Sequence, residues 1–326
     1  MASRRADERG AALLTVLMLV AVIAVMAGAA LEKLRLSTRL AANAAAADQA
    51  RAYAVGAEAM ATVRLGDLLT ESEGRVTLLG NWSDRPFPLP LPGGGMAVAR
   101  VVDGGNCFNL NGLATSAGAP GLYQTAGLQR IQFARLMRLL GISGQVADQI
   151  AASTADWIDS DQDQQPGGAE DSFYTGQQTG YRTAGTLMAD VSELRAVSGV
   201  TPEVYARLRP WVCALPVAEP SRMNVNTILP EQAPLLAMLA PDGSQSVDSV
   251  RALLLRRPPQ GWSNALDLWK GATTPSDAAA QTAATTAWFR MTVDVTVPGA
   301  QLQERALIDA SRLPVRLVAR QWGEDT

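Results

Sequence analysis

An unbroken apolar segment near the N-terminus constrains the fold more than any other feature of this sequence. It runs from Ala11 to Leu31 (AALLTVLMLVAVIAVMAGAAL), has 21 residues and contains no charged side chain. About 20 apolar residues, at a rise of roughly 1.5 Å per residue in an α-helix, cross the hydrocarbon core of a bilayer. The sequence therefore predicts one transmembrane helix at 11–31, with the rest of the chain on one side of a membrane.

A charged leader, MASRRADERG at 1–10, precedes the apolar segment and ends in glycine. A secretory signal peptide would instead have a shorter apolar region and a small-residue cleavage site beyond it. The three arginines of the leader favour a cytoplasmic location, although basic residues at 33, 35 and 39 weaken this charge argument. A plain signal anchor is the alternative interpretation.

The leader and the helix after it resemble the class III leader of type IV pilins and pseudopilins. The resemblance implies that a prepilin peptidase cuts between Gly10 and Ala11, and that the new amine of Ala11 is methylated. The fifth mature position is usually glutamate in this superfamily, but here it is Thr15. That glutamate is thought to pair with the N-terminal ammonium of a neighbouring subunit, because a buried carboxylate is costly unless it is paired. Lack of this glutamate is typical of minor pseudopilin K of type II secretion.

Composition narrows the range of possible functions. The chain of 326 residues has a net charge of −3 and no histidine, which excludes histidine triads and histidine-ligated zinc. Its two cysteines, Cys107 and Cys213, are too few for a structural zinc site and are not spaced as a CxxC redox pair. An oxidising compartment would favour a disulfide between them. Two unrelated buried thiols are the alternative.

The fold class expected is α+β. The alanine-rich segment after the span predicts that the membrane helix continues to about residue 69. The apolar residues expected to face a sheet are Leu34, Tyr53, Met60 and Val63. Turn residues at 81–95 separate two apolar runs, 76–79 and 96–102, which predicts a hairpin within the pilin-like part at 32–111.

Helical periodicity then replaces the extended pattern. The segment 112–215 carries helical stretches at 128–140, 146–158, 191–197 and 202–208, with similar glycine-containing loops that suggest two helical hairpins of the SAM-like or helix-hairpin-helix kind. The segment 216–283 begins with an NVNT strand and predicts a third hairpin, with helices at about 228–239 and 247–256 and Asn226 or Thr227 as N-cap. Period-2 alternation returns at 284–326, with strands expected at 288–297, 302–308 and 313–322. We therefore expect the helical domain at 112–215 to be an insertion within an antiparallel β head, with Cys107 at its entry and Cys213 at its exit.

An acidic loop, DWIDSDQDQQPGGAEDSFY at 156–174, is the sharpest chemical feature. Its carboxylates repel one another unless a cation lies among them. Calcium, which takes six to eight oxygen ligands, suits such a loop. The spacing differs from an EF-hand, because Gln164 stands where that motif requires glycine. A solvated acidic loop without metal is the alternative.

The motifs DWIDSDQ, PGGAED, RPWVCALP and NVNT together look like minor pseudopilin K of the type II secretion system. The resemblance implies a helical insertion that binds structural calcium, and the ligands expected are Asp159, Asp161, Glu170 and Asp171, with Asp156 and Asp163 as further candidates. It also implies a non-enzymatic subunit at the tip of a periplasmic pseudopilus. Its expected partners are the I and J minor pseudopilins, the major pseudopilin, the prepilin peptidase and the inner membrane, with the C-terminal head in the periplasm.

A membrane-anchored DNA receptor with helix-hairpin-helix motifs is the alternative function. Phosphate binding depends on lysine and arginine. The segment 125–215 has seven arginines and no lysine against ten acidic residues, which argues against nucleic acid as a partner. An enzyme is the third possibility, but no nucleophile elbow or phosphate loop is present in the sequence.

Overall fold

The protein is described from a computed structural model that covers residues 2–72, 74–241 and 244–323. Its α-helices are α1 (Ala2–Glu71), α2 (Gly127–Leu139), α3 (Gly144–Ile158), α4 (Asp171–Thr175), α5 (Pro202–Leu208), α6 (Ala233–Ala237), α7 (Val247–Leu255) and α8 (Ala278–Gln281). Its strands are β1 (Phe87–Pro90), β2 (Met96–Asp103), β3 (Phe108–Asn109), β4 (Ala114–Ser116), β5 (Tyr123–Thr125), β6 (Val212–Cys213), β7 (Met223–Asn224), β8 (Thr282–Ala283), β9 (Trp288–Val297), β10 (Ala300–Asp309) and β11 (Arg316–Trp322).

The long helix α1 has two halves with different surroundings. Among the described residues, one helix, Ala11–Glu71, is long and apolar enough to cross a membrane. Its side chains from 11 to 45 are all exposed, including Leu13, Leu17 and Ile23. Packing against the rest of the protein begins at Ala46, which is partly buried beside Gly299, and Ala50 is the first fully buried residue, so residues 11–45 have no protein partner within the described part of this chain. Exposed apolar side chains over such a length suit a lipid environment.

The face of α1 that packs on the sheet differs from the expected one. Ala50, Ala54, Ala57 and Leu65 are buried against it. The expected stripe was wrong for Leu34, Met60 and Val63, which are all more than half exposed, and Tyr53 is only partly buried. The small side chains of the three alanines let the helix backbone approach the sheet closely, whereas Met60 and Val63 lie on the outer side.

The sheet beneath α1 has five strands in the order β1-β2-β9-β10-β11, and every neighbouring pair is antiparallel. Alternate residues of β9 are buried: Phe289, Met291, Val293, Val295 and Val297. The predicted period-2 strand at 288–297 is thereby confirmed, as are the strands near 302–308 and 313–322. One side of this sheet and the second half of α1 form a hydrophobic core.

The predicted hairpin has a different first strand. The expected strand at 76–79 was wrong, because β2 pairs with β1 inside the turn-rich segment. Val76 is buried, but its N–H donates to the carbonyl of Ala284 rather than to a neighbouring strand of the sheet. Pro88 and Pro90 fit β1 because it is an edge strand, where a missing N–H removes no interior hydrogen bond.

The helical region is an insertion between two adjacent strands of the sheet. The chain leaves the sheet after β2 at Asp103 and returns at Trp288 in β9, which pairs directly with β2. The inserted segment therefore spans 104–287, and both of the expected helical segments, 112–215 and 216–283, lie within it. They share one hydrophobic core, to which Phe133 and Ile150 contribute from the first segment and Leu235 and Trp269 from the second.

Most of the predicted helices are present, but the third hairpin begins later than expected. α2, α3, α5 and α7 confirm four predicted segments, whereas 191–196 is a 3-10 helix. A 3-10 turn from Pro230 precedes the short α6, so the expected N-cap at Asn226 or Thr227 was wrong. The Asn226 side chain instead bonds to the N–H and carbonyl of Trp262, and the Thr227 hydroxyl donates to Asp103.

The two cysteines meet where the insertion adjoins the sheet. Cys107 and Cys213 are joined by a disulfide, with their Cα atoms 5.9 Å apart, and β3 pairs with β6 beside them. Trp288 and Leu307 of the sheet pack against this bridge. The disulfide thus closes the first part of the insertion, although the chain itself does not return to the sheet until position 288.

Candidate metal centre

The C-terminal end of α3 positions the first acidic side chains of the loop. Asp156 lies in the last turn of α3, and Asp159 directly follows its final residue. Both side chains are buried. The C-terminus of a helix carries a partial negative charge, which disfavours carboxylates at this position. A cation would remove this conflict.

Three carboxylates converge beyond the helix end. Asp159, Asp161 and Glu170 each present one oxygen, and these oxygens all lie within 4.8 Å of one another. Asp159 and Glu170 are 1% and 3% exposed, whereas Asp161 faces solvent. Asp159 Oδ1 and both carboxylate oxygens of Glu170 are buried without a hydrogen-bond partner in the described part of the chain. Buried acceptors without partners are costly, so these atoms are poised to receive a ligand.

Burial and mutual repulsion raise the pKa values of these groups. The pKa of Glu170 is raised to about 8, first by loss of solvent and then by the charges of Asp156, Asp159 and Asp161. Burial raises the pKa of Asp159 to about 6, and a hydrogen bond from the Thr125 hydroxyl, 2.6 Å from Oδ2, opposes this shift. Without a cation the cluster therefore binds protons unusually tightly, because neighbouring negative charges and burial both favour the protonated form of a carboxyl group.

Asp156 lies beside this trio and shapes the loop. Its carboxylate accepts a hydrogen bond from the N–H of Gln165, at 3.1 Å to Oδ1. Burial raises its pKa to about 6, and the negative charges of Asp159 and Asp161 add to the shift. A Cβ at position 168 would overlap Asp156 Oδ2, so glycine is required at that turn.

Like Asp156, the predicted ligands Asp171 and Asp163 lie outside the trio. Oδ1 of Asp171 accepts hydrogen bonds from the N–H and hydroxyl of Thr183, both at 2.9 Å, and its Oδ2 lies 3.5 Å from Arg182. Asp163 has an exposed side chain, and its N–H donates to Asp161 Oδ1 at 2.8 Å. The sequence contained no signal for the roles of Thr125 and Thr183, because both lie outside the acidic loop.

The geometry of the trio fits a calcium ion. Calcium binds oxygen at about 2.3–2.6 Å, so two oxygens on one ion are at most roughly 5 Å apart. The largest separation of 4.8 Å is within that limit. The donor set is entirely carboxylate oxygen, which suits a hard cation rather than zinc or copper.

The arginines of the helical hairpins are engaged within the protein. Arg207 donates to the carbonyl of Gly141 in the first hairpin loop, at 3.1 Å, and Arg135 donates to the carbonyl of Met238, at 2.7 Å. Arg138 pairs with Asp148 at 2.9 Å. These contacts hold Arg135, Arg138 and Arg207 within the packing of the helical region.

Comparisons with known proteins agree on one family. Family models described as "Type II secretion system (T2SS), protein K" match residues 106–217 and 223–287. The type II secretion system protein K of Pectobacterium carotovorum is 32% identical over 98% of both chains, and that of Klebsiella pneumoniae is 34% identical over 97% of both. A crystal structure of the GspK-GspI-GspJ complex from the enterotoxigenic Escherichia coli type 2 secretion system contains a chain that is 30% identical, with a TM-score of 0.71. The match covers 85% of this chain and 97% of that one. From the inserted helical region, the pilin-like head and these relatives, we conclude that the chain belongs to the type II secretion system protein K family and is a minor pseudopilin of that machinery.

Proposed function

We propose that the protein caps the tip of a periplasmic pseudopilus and nucleates its assembly for the export of folded proteins across the outer membrane. The observation that carries this proposal is the insertion at 104–287, which is much larger than the β head it interrupts. A body of this size beside the sheet would obstruct another subunit stacking above it. In this role the chain binds no nucleic acid and catalyses no reaction.

The partners we propose follow from the solved relative. That protein is part of a GspK-GspI-GspJ complex. By analogy, this chain would assemble with the I and J minor pseudopilins and join a filament of the major pseudopilin. The exposed first half of α1 would hold the subunit in the inner membrane before assembly, with the head in the periplasm, and would pack among neighbouring helices afterwards.

Thr15 supports a position at the end of the filament. Its hydroxyl donates to the carbonyl of Ala12 within the same helix, at 2.9 Å, so it needs no partner from another subunit. A glutamate at this position would place a charge within an apolar helix and would require a cation beside it. A terminal subunit has no neighbour above it whose ammonium it must neutralise.

The acidic loop would hold a structural calcium ion, with Asp159, Asp161 and Glu170 as its protein ligands. Asp156 would support the loop through Gln165, and Asp171 would fix the start of α4 through Thr183. The bound ion would supply positive charge and tie the end of α3 to the segment that leads into α4. The observations that support this assignment are the buried oxygens without partners and their mutual distance.

Processing by the prepilin peptidase gives a direct test of pseudopilin behaviour. We expect coexpression with the peptidase to shorten the chain by the ten residues of the leader and to leave a methylated Ala11. The Gly10→Val variant and an inactive peptidase are the controls, and both should leave the mass unchanged. An unshifted mass with active peptidase would contradict the proposed processing.

A further inference from the structure

An ion cluster links α1 to the sheet, far along the chain from the acidic loop. Arg320 of β11 forms a forked contact with Glu58 of α1, with Nε 2.8 Å from Oε2 and Nη2 2.8 Å from Oε1. The same Nε lies 3.2 Å from Oε1 of Glu304 in β10. We call Glu58, Glu304 and Arg320 the helix clamp, because they join α1 to both strands.

The helix clamp contains two carboxylates and a single guanidinium. Glu304 is completely buried and Glu58 is 7% exposed. Oε2 of Glu304 has no hydrogen-bond partner in the described part of the chain. If both carboxylates were ionised, the cluster would carry a net negative charge on two buried side chains beside an arginine that is 30% exposed, which is unfavourable. A proton between the carboxylates would remove this charge and give Glu304 a donor.

The groups that surround Glu304 in the described structure provide no second cation. Glu58 approaches it from α1 and Arg320 from β11, while its register partner in β9 is the apolar Val293. Trp322 is its register partner in β11, and the Trp322 ring lies 5.7 Å from the Arg320 guanidinium. Arg320 thus already interacts with two carboxylates and with the face of an aromatic ring.

We propose that the helix clamp is a proton-dependent latch: one proton shared by Glu58 and Glu304 keeps α1 firmly docked on the sheet, and loss of that proton weakens the docking. The helix clamp connects two parts of the protein. One is α1, the helix that anchors the chain, and the other is the head, which carries the insertion. The stability of the contact between α1 and the sheet therefore depends on the pH of the compartment in which the head lies.

The electrostatics of Glu304 give the direction of the effect. Burial raises the pKa of Glu304 to about 7 from its ordinary 4.5, and the hydrogen bond and charge of Glu58 act in the same direction, against the opposing effect of Arg320. A carboxyl whose pKa is higher in the folded state holds its proton longer there than in the unfolded chain. Its favourable contribution is complete below about pH 4.5, declines as pH rises towards 7 and is absent above that value.

Hydrogen exchange of the full chain in detergent micelles tests the latch locally. Protection factors for the amides of β10 and β11, corrected for intrinsic exchange, would be measured at pH 5 and pH 8.5. We expect protection in the wild-type protein to fall by about tenfold or more between these values, because the pKa of Glu304 differs between the folded and unfolded states and a difference of about one in pKa changes the folding equilibrium constant roughly tenfold. The acidic loop also titrates between these pH values. Because the loop is the same in the wild type and in the clamp variants, its contribution cancels when their protection factors are compared.

Two variants distinguish the latch from a general effect of pH. Glu304→Gln mimics the protonated side chain, and Glu58→Gln leaves Arg320 with a single carboxylate, so both should remove most of the pH dependence in β10 and β11. Glu231→Gln, at an exposed position in the insertion, should retain it. Equal loss of protection in the wild type and in both clamp variants, or no loss in the wild type, would overturn the proposal.

Discussion

Gly168 lies directly against the carboxylate of Asp156, and a Cβ at position 168 would overlap Asp156 Oδ2. The carboxylate itself is held by the N–H of Gln165. The Asp156 carboxylate cannot move aside freely, because Asp156 is fully buried in the last turn of α3. The turn that brings Glu170 towards Asp159 therefore depends on a glycine at this position.

This contact predicts that Gly168→Ala destabilises the acidic loop. We expect a loss of about 1–3 kcal/mol in the free energy of unfolding, as is usual for overpacking a buried site, together with weaker calcium binding. Gly176→Ala is the matched control, since a Cβ there would meet its nearest neighbours at 3.5–3.6 Å, an ordinary contact distance. Thermal unfolding of both variants measures the difference, and equal stability of the two would contradict the tight packing at Gly168.

Calcium should stabilise the protein, and the trio should mediate this effect. We expect calcium to raise the melting temperature of the full chain in detergent and a chelator to lower it, because a ligand that binds only the folded state shifts the folding equilibrium. Asp159→Asn and Glu170→Gln should each lose most of this response.

Glu170→Gln should be more stable than the wild type when calcium is removed, although it binds calcium less well. In chelator at about pH 9, above the pKa of about 8 that Glu170 has without a cation, we expect Glu170→Gln to melt above the wild type, because the substitution removes a buried charge that is repelled by its neighbours. Asp171→Asn, which alters a carboxylate outside the trio, should keep the calcium response. The same melting temperature in calcium and in chelator would contradict calcium binding by the loop.

The disulfide should stabilise the first part of the insertion. The double variant Cys107→Ser/Cys213→Ser should lose about 2–5 kcal/mol in the free energy of unfolding, the usual effect of removing a native disulfide. Peptide mapping without reductant should recover the two cysteines in one linked fragment. Recovery of two free thiols from protein expressed and purified under oxidising conditions would contradict the bridge.

The close approach of α1 to the sheet predicts different effects at two positions on the helix. Ala54 is fully buried on the face of α1 that meets the sheet, so Ala54→Leu should destabilise the head by about 1–3 kcal/mol. Val63 is 64% exposed, and Val63→Leu should change stability by no more than about 0.5 kcal/mol. Chemical denaturation of both variants checks this, and a reversed order would place the packed face of α1 elsewhere.

The sequence was most informative where a local pattern determines structure. The period-2 alternation at 288–297 predicted a strand, and the apolar run at 11–31 predicted a helix long enough to cross a membrane, each without information from the rest of the chain. The packed face of α1 could not be predicted, because alanine at positions 50, 54 and 57 is too weakly hydrophobic to mark a stripe by periodicity. Its burial depends on how closely the sheet approaches, which is a tertiary property.

The candidate metal site was similarly predictable only in part. The cluster of acids in the loop identified the region, and three of the expected ligands converge there. The orientation of Asp171 depends on Thr183, twelve positions away, and local spacing does not encode that contact. The helix clamp had no sequence signal, because Glu58 and Arg320 are separated by 262 positions.

Copurification with the companion pseudopilins tests the central claim most directly. The full chain, coexpressed with the I and J minor pseudopilins of its own secretion system and extracted in detergent, should elute with both in one complex of defined stoichiometry. The I and J proteins expressed without it provide the control. Elution of this chain alone, with the I and J proteins in a separate peak, would contradict its assignment as the tip subunit of the pseudopilus.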